Sequence, residues 1–520
     1  MDKKTDRIIY TAVFIVCMLA GVIACISKKA MHEDEFYSFY SSNRTWGLAA
    51  EGEVTSEDIL RELEVLPGEG FNFSLVREVQ SWDVHPPVYY FCLHLVCSVT
   101  AGIFSMWQGL GINLFCLAVC LILMKKLGSV LMPGAQLVTD IAVLAWGLSA
   151  ATLTGAVFIR MYMLLSVWIL AITMLHVVYG TTGRLDVRFV IGLFLLTFLG
   201  FMTHYYFLVW LIALAAVWNI VTVINTRGIR ASLIYAGVEL MCAVCCYLFY
   251  PAFPAQMFRG QRGAQAAGNF INLSNTLERI SFFAAKINRI GFGSGLWIVL
   301  GFMVVYFCLL KDRRRLGLFS ILLGIPVLLY FLIVSKTALM LGDSSIRYHM
   351  PVLGIVYLLI GYILLDQKIS PSDPPGLWRG IVPVTALAFL AVLNLTGDLN
   401  GRISFLYPET EDHLALLSKY PDAETIYAYP SGQSWIMWAD ATELLGFDSV
   451  YYVPVDELVR KALDSKLLSA DKSDIHTTAT ILYLDVNTDI DSVIGAFPGI
   501  EKKTLLYSDS GGYTSVYLLE

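Results

Sequence analysis

The sequence carries few charged residues for its length. Only 15% of its 520 residues are Asp, Glu, Lys or Arg, 57% are hydrophobic, and the mean hydropathy is +0.65. Soluble domains usually contain about 25% charged residues. This shortage of charge excludes an ordinary soluble protein and predicts several membrane spans. The net charge of −6 and the lack of a long basic stripe argue against binding of nucleic acid.

Cysteine is missing from the polar C-terminal region. All ten cysteines lie in hydrophobic segments between Cys17 and Cys308, which argues against a disulfide framework. Cys242 and Cys245 form a C-x-x-C pattern inside an apolar run, where simple packing explains them better than redox or metal chemistry. No His/Cys ligand cluster occurs, so no metal and no cofactor is favoured, although carboxylates holding Mg²⁺ or Mn²⁺ remain an alternative.

Apolar stretches near the roughly 20 residues that a span requires occur along most of the chain. They are 8–27, 87–104, 107–124, 137–157, 160–179, 187–203, 205–224, 231–250, 293–310, 316–335, 348–366 and 378–396. The first is either a signal peptide or an uncleaved span. Its length, and the absence of a convincing cleavage site before Lys28 and Lys29, favour the uncleaved span.

Basic clusters predict the orientation, because they mark the cytoplasmic side of a membrane protein. They put the N-terminus inside and 28–86, 251–292 and the region after 397 outside. One conflict concerns Lys125 and Lys126, which two full crossings after His85 would leave outside. Either one segment within 87–124 does not cross the membrane, or these lysines are an exception to the rule that basic residues lie on the cytoplasmic side. The expected number of spans is therefore 11 to 13.

The composition divides the chain into two predicted parts. Residues 1–396 form a mainly α-helical, polytopic transmembrane bundle, and 397–520 form a small extracytoplasmic α/β domain with a largely parallel sheet, because short β-rich runs alternate with helical stretches. The first outer loop, 28–86, has a helical pattern near 55–66. The second, 251–292, is either a mobile lid or an unstructured connection.

Charged and aromatic residues cluster at the outer ends of the predicted spans. The clusters are Glu33-Asp34-Glu35, Asp83-x-His85-Pro86-Pro87, Arg160-x-Tyr162, His204-Tyr205-Tyr206 and Lys336 with Arg347-Tyr348-His349. Such groups are costly near hydrocarbon and indicate function. They suit sugar transfer from a polyprenyl phosphate, because cations stabilise a phosphate leaving group and a carboxylate deprotonates the acceptor.

These motifs resemble those of the GT-C glycosyltransferases over about residues 1–370. The similar branch contains the protein O-mannosyltransferases and the lipid A aminoarabinose transferases. The resemblance implies a polyprenyl-phosphate sugar donor and an inverting transfer. It implies a catalytic carboxylate at Asp34 with Glu35 adjacent, and roles for Arg160 and Arg347 at the donor phosphate or in the cavity. The full set of candidates adds Lys336 and Tyr348 at the phosphate and Asp83, His85, Tyr162 and His204 at the acceptor or cavity.

Other interpretations stay open from the sequence. The three acids could equally form a solvated turn beside the membrane. His204 could be a hydrogen-bonded histidine at the membrane interface, and Lys336 could extend its side chain to that interface. At the level of function, the alternatives are a flippase of lipid-linked sugars and a non-enzymatic envelope assembly protein. The expected location is the cell membrane, in a bacterial envelope, with an extracytoplasmic acceptor that is a polymer, a lipid or a protein.

Overall fold

The computed structural model describes residues 2–45, 51–183, 185–309, 317–365, 377–464, 479–497, 500–508 and 512–520. Within these ranges the chain forms two compact units. The membrane unit comprises Met1–Ile26, Gln80–Cys92 and Trp107–Phe405, and the sheet unit comprises Ser27–Val79, Leu93–Met106 and Leu406–Glu520. Residues of the first outer loop therefore group with the C-terminal region, whereas the sequence division was drawn at 396/397.

Apolar helices make up the membrane unit, apart from residues 93–99 of its second helix, which belong to the sheet unit. They are α1 (Lys3–Ser27), α5 (Val88–Val99), α6 (Met106–Leu131), α7 (Gln136–Gly147), α8 (Ala150–Val157), α9 (Tyr162–Tyr179), α10 (Val187–Phe201), α11 (Tyr206–Thr226), α12 (Arg230–Phe249), α16 (Leu296–Leu309), α17 (Leu318–Thr337), α18 (Met350–Leu364) and α19 (Leu377–Leu399). In the described part of the chain, seven helices are long and apolar enough to cross a membrane, and up to ten spans result when each bent pair counts as one. The predicted multi-pass helical bundle is confirmed.

Two partly buried contacts of Lys125 bear on the uncertain number of spans near this residue. The Lys125 ammonium, on α6, donates to Asp6 on α1 and to Asp140 on α7, each at 2.7 Å. The end of α6 therefore lies at the same end of the bundle as the start of α1. Helix α5 has 12 residues and is about 18 Å long, well short of a hydrocarbon core of about 30 Å. The structure favours the alternative in which α5 does not cross.

The second outer loop is largely helical. Within 251–292, helices α13 (Phe253–Phe258), α14 (Gln261–Ile271) and α15 (Thr276–Lys286) follow one another, and a π-helical turn extends the last of them. Arg279 on α15 fixes the loop to the end of α17 by donating to the backbone carbonyls of Ser335 and Ala338. The interpretation as an unstructured connection was wrong.

A six-stranded mixed sheet organises the described residues of the sheet unit. The strands are β1 (Gly52–Thr55), β2 (Glu424–Tyr429), β3 (Ser449–Pro454), β4 (Thr480–Asp485), β5 (Lys503–Ser508) and β6 (Thr514–Leu519), in the order β1-β3-β2-β4-β6-β5. Only β3–β2 and β2–β4 are parallel. The prediction of a largely parallel sheet was wrong, because the first outer loop supplies the antiparallel edge strand β1 and β6 returns antiparallel between β4 and β5.

Short helices accompany this sheet in the described part of the unit. They are α2 (Glu33–Asn43), α3 (Ser56–Leu63), α4 (Phe73–Trp82), α20 (Thr410–Leu417), α21 (Met437–Leu444), α22 (Val455–Asp464) and α23 (Ile490–Val493). One face is an apolar cluster in which Leu482 and Leu484 pack with residues of α22 and α23. The other face is polar and aromatic: Tyr427 donates to Asp440 at 2.8 Å, and Tyr507 donates to Glu443 at 2.7 Å.

Candidate functional site

The acidic cluster forms the first turn of α2 in the sheet unit. His32 is the N-cap residue, and its Nδ1 accepts the Asp34 N–H at 3.1 Å, while the Glu35 carboxylate accepts the His32 N–H at 2.7 Å. This reciprocal arrangement is a capping box, in which a side chain at each end of the first turn bonds the backbone of the other. Carboxylates are also favoured here because the helix N-terminus carries partial positive charge.

The three acids differ sharply in exposure. The Glu35 side chain is fully buried and lies 2.9 Å from the equally buried ammonium of Lys28. The side chains of Glu33 and Asp34 are 17% and 29% exposed. Glu35 is therefore committed to the capping box and to an ion pair, whereas Asp34 is the most accessible carboxylate of the three.

In the membrane unit, Arg347 lies inside a ring of aromatic side chains. Its guanidinium carbon is 5.1 Å from the ring centre of Phe158, 5.2 Å from Tyr348, and 5.9 Å from Tyr162 and from Phe405. Arg347 is only 5% exposed. Aromatic faces attract a cation through their quadrupole, so these four rings hold a positive charge in a place where water is largely excluded.

Helix α6 packs against the segment that carries Arg160. Helix α8 ends at Val157 and α9 begins at Tyr162, so residues 158–161 form a short break with helix on either side. Asn113 donates to the Phe158 carbonyl at 2.6 Å, and Gly109, one turn earlier on α6, leaves the space that the Ile159 side chain fills. Arg160 is 6% exposed. Phe158 and Asn113 were not among the candidate residues predicted from the sequence, although Phe158 lies only two residues from Arg160.

His204 lies close to the two arginines and to the aromatic rings. It lies between α10 and α11, where its Nδ1 accepts the Tyr206 N–H at 3.0 Å, so a neutral imidazole carries its proton on Nε2. Burial, and then the charges of Arg160 and Arg347, lower the pKa of His204 to about 3. Its ring centre is 5.5 Å from Tyr162 and 5.7 Å from His85. The group Arg160, Tyr162, His204, Arg347 and Tyr348, with His85 beside it, is called the arginine cluster below.

Asp83 lies close to the arginine cluster in sequence but has different neighbours. It is half-buried, its backbone carbonyl accepts from Gln256 at 2.7 Å, and its charge helps to raise the pKa of Tyr205, for which burial is the main cause. Three residues on, Pro86 and Pro87 precede α5, where proline suits the first turn. Asp83 therefore belongs to the connection between α4, α5 and the second outer loop.

Lys336 is occupied by the second outer loop. Its ammonium donates to the Asn272 carbonyl at 2.6 Å, to Asn275 Oδ1 at 2.6 Å and to Thr276 Oγ1 at 2.9 Å. An ammonium has three protons to donate, and these three bonds use all of them. The structure thus gives Lys336 a connecting role between α17 and the second outer loop. A place among the phosphate ligands would require these bonds to break.

Within the described ranges, no three His, Cys, Asp or Glu side chains come together in a way that would hold a metal ion. The positive charge of the arginine cluster comes from guanidinium groups, which are planar, permanently charged and suited to oxyanions.

Comparison with known proteins gives a structural likeness only. No family model and no curated protein matches the chain. The chain is similar to the crystal structure of ArnT from Cupriavidus metallidurans bound to undecaprenyl phosphate, with 11% identity, a TM-score of 0.53, and coverage of 99% of this chain and 98% of ArnT. The apo structure of the same ArnT gives 11% identity and a TM-score of 0.47 over 98% and 97% of the two chains. The oligosaccharyltransferase AglB from Archaeoglobus fulgidus gives 10% identity and 0.42 over 86% and 64%.

The likeness at TM-score 0.53 extends over nearly the whole of both chains, and so includes the helical bundle and the small sheet. It agrees with the resemblance found in the motifs at Asp34, His85, Arg160 and Arg347. The protein is therefore a polytopic membrane protein with the fold of the GT-C glycosyltransferases.

Proposed function

We propose that this protein is an integral membrane glycosyltransferase that takes a sugar from a polyprenyl-phosphate carrier and transfers it to an extracytoplasmic acceptor. The fold supports the general kind of activity, because ArnT, whose structure it resembles, was crystallised with undecaprenyl phosphate. The location, a bacterial cell membrane with the N-terminus inside and the acceptor outside, belongs to the same proposal. The acceptor class, a cell-envelope polymer, lipid or protein, is left to experiment.

The observation that carries the proposal is the burial of two arginines beside His204, one of them among aromatic rings. Arg160 and Arg347 are 6% and 5% exposed, and both lie close enough to His204 for their charges to lower its pKa. The four rings surround Arg347. Charged groups held in an apolar bundle are costly and therefore indicate function. Guanidinium groups bind phosphate through paired hydrogen bonds, so the phosphate of a lipid donor would suit these two arginines.

The proposed reaction is a single displacement. An acceptor O–H or N–H loses its proton to the Asp34 carboxylate while the acceptor atom forms a bond to the anomeric carbon. The bond between that carbon and the phosphate oxygen breaks, its electron pair remains on the polyprenyl phosphate, and Arg160 and Arg347 stabilise the added charge. Attack opposite the leaving group inverts the anomeric configuration. Because guanidinium groups supply the positive charge, we propose that no divalent metal is required.

Asp34 is proposed as the base because of its exposure within α2. A general base must reach the proton that it removes, and Glu35 is enclosed with Lys28 while Asp34 remains 29% exposed. Glu33 is the competing candidate, with 17% exposure. Glu35 is assigned the positioning of the first turn of α2. His85, Tyr162 and His204 are assigned to the walls of the cavity, with Tyr348 beside the phosphate.

Two other functions make different predictions. A flippase would bind the lipid-linked sugar and move it without breaking the sugar–phosphate bond. An assembly protein would need neither a base nor a buried arginine pair. Transfer of label, dependent on one carboxylate, distinguishes the transferase from both.

The decisive experiment measures transfer of radiolabelled sugar from a panel of polyprenyl-phosphate sugars to native membrane extract by the purified full-length protein in detergent. Asp34→Asn is compared with Glu33→Gln and with the matched control Asp422→Asn, an exposed aspartate of the sheet unit. We expect wild type and the control to transfer label, and Asp34→Asn to lose at least about 100-fold in turnover while still binding undecaprenyl phosphate. EDTA should leave the rate unchanged. Equal turnover by Asp34→Asn would refute the assigned base, and donor binding without transfer by any protein would favour the flippase.

A further inference from the structure

The sheet unit contains a crevice at the carboxyl ends of its parallel strands. The cavity has a volume of about 540 Å³ and is lined by residues that follow β2, β3 and β4. They are Pro430, Ser431, Val455, Asp456, Val459, Asn487, Thr488, Asp489 and Ser492. The crevice is shallow and open rather than enclosed, so a ligand would lie along it with one side facing water.

The strand order explains why a crevice opens here. β2 lies between β3 and β4, and all three are parallel. The chain leaves β2 towards β3 on one side, whereas it leaves β4 towards β5 at the opposite edge of the sheet. Two neighbouring strands whose connections depart in opposite directions leave a gap above their carboxyl ends, and open α/β sheets bind ligands at this switch point.

The turn after β4 holds its polar groups in a defined arrangement. The buried carboxylate of Asp485 accepts the Asn487 N–H at 3.1 Å and the Thr488 hydroxyl at 3.3 Å. On the other wall, Ser431 donates to Asp456, which also pairs with Arg460 at 3.3 Å. The crevice therefore has walls formed by two fixed turns, and an apolar side formed by Val455 and Val459.

The lining favours a neutral or amino sugar over an anion. Asp456 and Asp489 bring two carboxylates to the rim, which would repel a phosphate or a nucleotide, and carboxylate, amide and hydroxyl groups together match the vicinal hydroxyls of a sugar ring. The apolar side chains suit the C–H face of the same ring. We propose that this crevice binds one or two sugar units of a neutral or amino-sugar glycan. On the proposed transferase function, that glycan is part of the acceptor.

Binding is tested directly, without catalysis. The full-length protein in detergent is examined by saturation-transfer NMR with maltose, chitobiose and glucosamine, in wild type, Asn487→Trp and Asp456→Asn. Asn487 is exposed at the crevice, so the indole fills the cavity without disturbing the core. Asp491→Asn is the control, because Asp491 is exposed, pairs with Lys503 and does not line the crevice.

We expect saturation transfer to at least one sugar with wild type and Asp491→Asn, a loss of at least about tenfold in affinity with Asn487→Trp, and a smaller loss with Asp456→Asn. Equal signals for wild type and Asn487→Trp would overturn the proposal. The absence of signal for every sugar, or binding of Ca²⁺ alone at Asp456 and Asp489, would also overturn it. Unchanged thermal unfolding of Asn487→Trp confirms that the fold is intact.

A kinetic comparison separates this inference from the proposed function. In the transfer assay, Asn487→Trp should raise the KM for the glycan acceptor at least about fivefold while leaving kcat and the donor KM unchanged. Asp34→Asn should lower kcat instead. If the protein binds sugar but transfers none, the sugar site in the crevice is supported and the transferase function is refuted. If Asn487→Trp has normal acceptor kinetics, the crevice is not the binding site for the acceptor.

Discussion

The ammonium of Lys28 and the carboxylate of Glu35 form an ion pair at 2.9 Å in which both side chains are completely buried. The pair connects the residue just after α1 with the first turn of α2. The same Glu35 oxygen accepts the His32 N–H, so one carboxylate determines where the helix begins. A buried pair contributes little net stability compared with apolar residues, but the removal of one partner leaves an uncompensated charge.

Lys28→Met should therefore destabilise the protein strongly. Removing the cation leaves the Glu35 carboxylate buried without its partner, and we expect the free energy of unfolding to fall by about 3–5 kcal/mol. Lys29→Met is the matched control, because Lys29 pairs with Glu411 at 3.1 Å with 35% and 69% of the two side chains exposed. It should cost less than about 1 kcal/mol. Denaturant titration in detergent measures both, and equal losses would contradict the structural role of the pair.

Arg347→Lys should impair transfer although it preserves the charge. Four rings surround the guanidinium at 5.1–5.9 Å, and a planar group stacks on such rings and binds phosphate bidentately, whereas an ammonium does neither. We expect turnover to fall about 100-fold, which is typical when one donor to a developing anion is lost. Arg289→Lys, at a 54% exposed arginine that pairs with Asp343, should remain active. Full activity of Arg347→Lys would mean that charge alone suffices.

His204 should make the folded protein sensitive to mild acid. Its folded pKa is about 3 and its ordinary pKa is 6.5, so below pH 6.5 the unfolded state binds a proton that the folded state does not. The stability that His204 contributes is complete above pH 6.5 and falls as the pH drops towards 3, by about 2 kcal/mol at pH 5. His204→Asn, which retains an acceptor for the Tyr206 N–H, should lose this part of the pH dependence between pH 7 and 5. Parallel unfolding curves for both proteins would exclude His204 as the cause.

The sequence predicted the helical bundle well because hydrophobic length is a direct signal for a span. All twelve apolar stretches fall on helices, and the residues placed at their outer ends include Arg160, His204 and Arg347, which the structure brings together. The positions near Lys125 could not be resolved from composition. Their explanation is the pairing of Lys125 with Asp6 and Asp140, which are 119 and 15 residues away.

Other features depended on long-range contacts that a local pattern does not contain. Strand β1 pairs with β3 across about 400 residues, so no local pattern predicts that the first outer loop extends the C-terminal sheet. The sequence left three neighbouring acids in competition for one role, and they differ in the exposure of their side chains, which is 0% for Glu35, 17% for Glu33 and 29% for Asp34. Lys336 at the donor phosphate stays a prediction, and the contacts of its ammonium with Asn272, Asn275 and Thr276 could not be foreseen from its place at a span end.

Gly109→Ala should reduce transfer through the segment that carries Arg160. A Cβ atom on Gly109 would lie 2.1 Å from Ile159 Cγ2, so Ile159 and its neighbour Arg160 must move. Overpacking of this kind typically costs about 1–3 kcal/mol, and a small displacement of a charged group at a reacting centre costs far more in rate than in stability.

Gly111→Ala makes the same change on the same helix, but its Cβ would meet nothing within 4 Å, and alanine is the better helix former. We therefore expect Gly111→Ala to transfer sugar at the wild-type rate or slightly above it, and Gly109→Ala to lose at least about tenfold in turnover and to bind undecaprenyl phosphate more weakly. If the two variants behave alike in the transfer assay, the support of Arg160 by α6 is not what sets the activity.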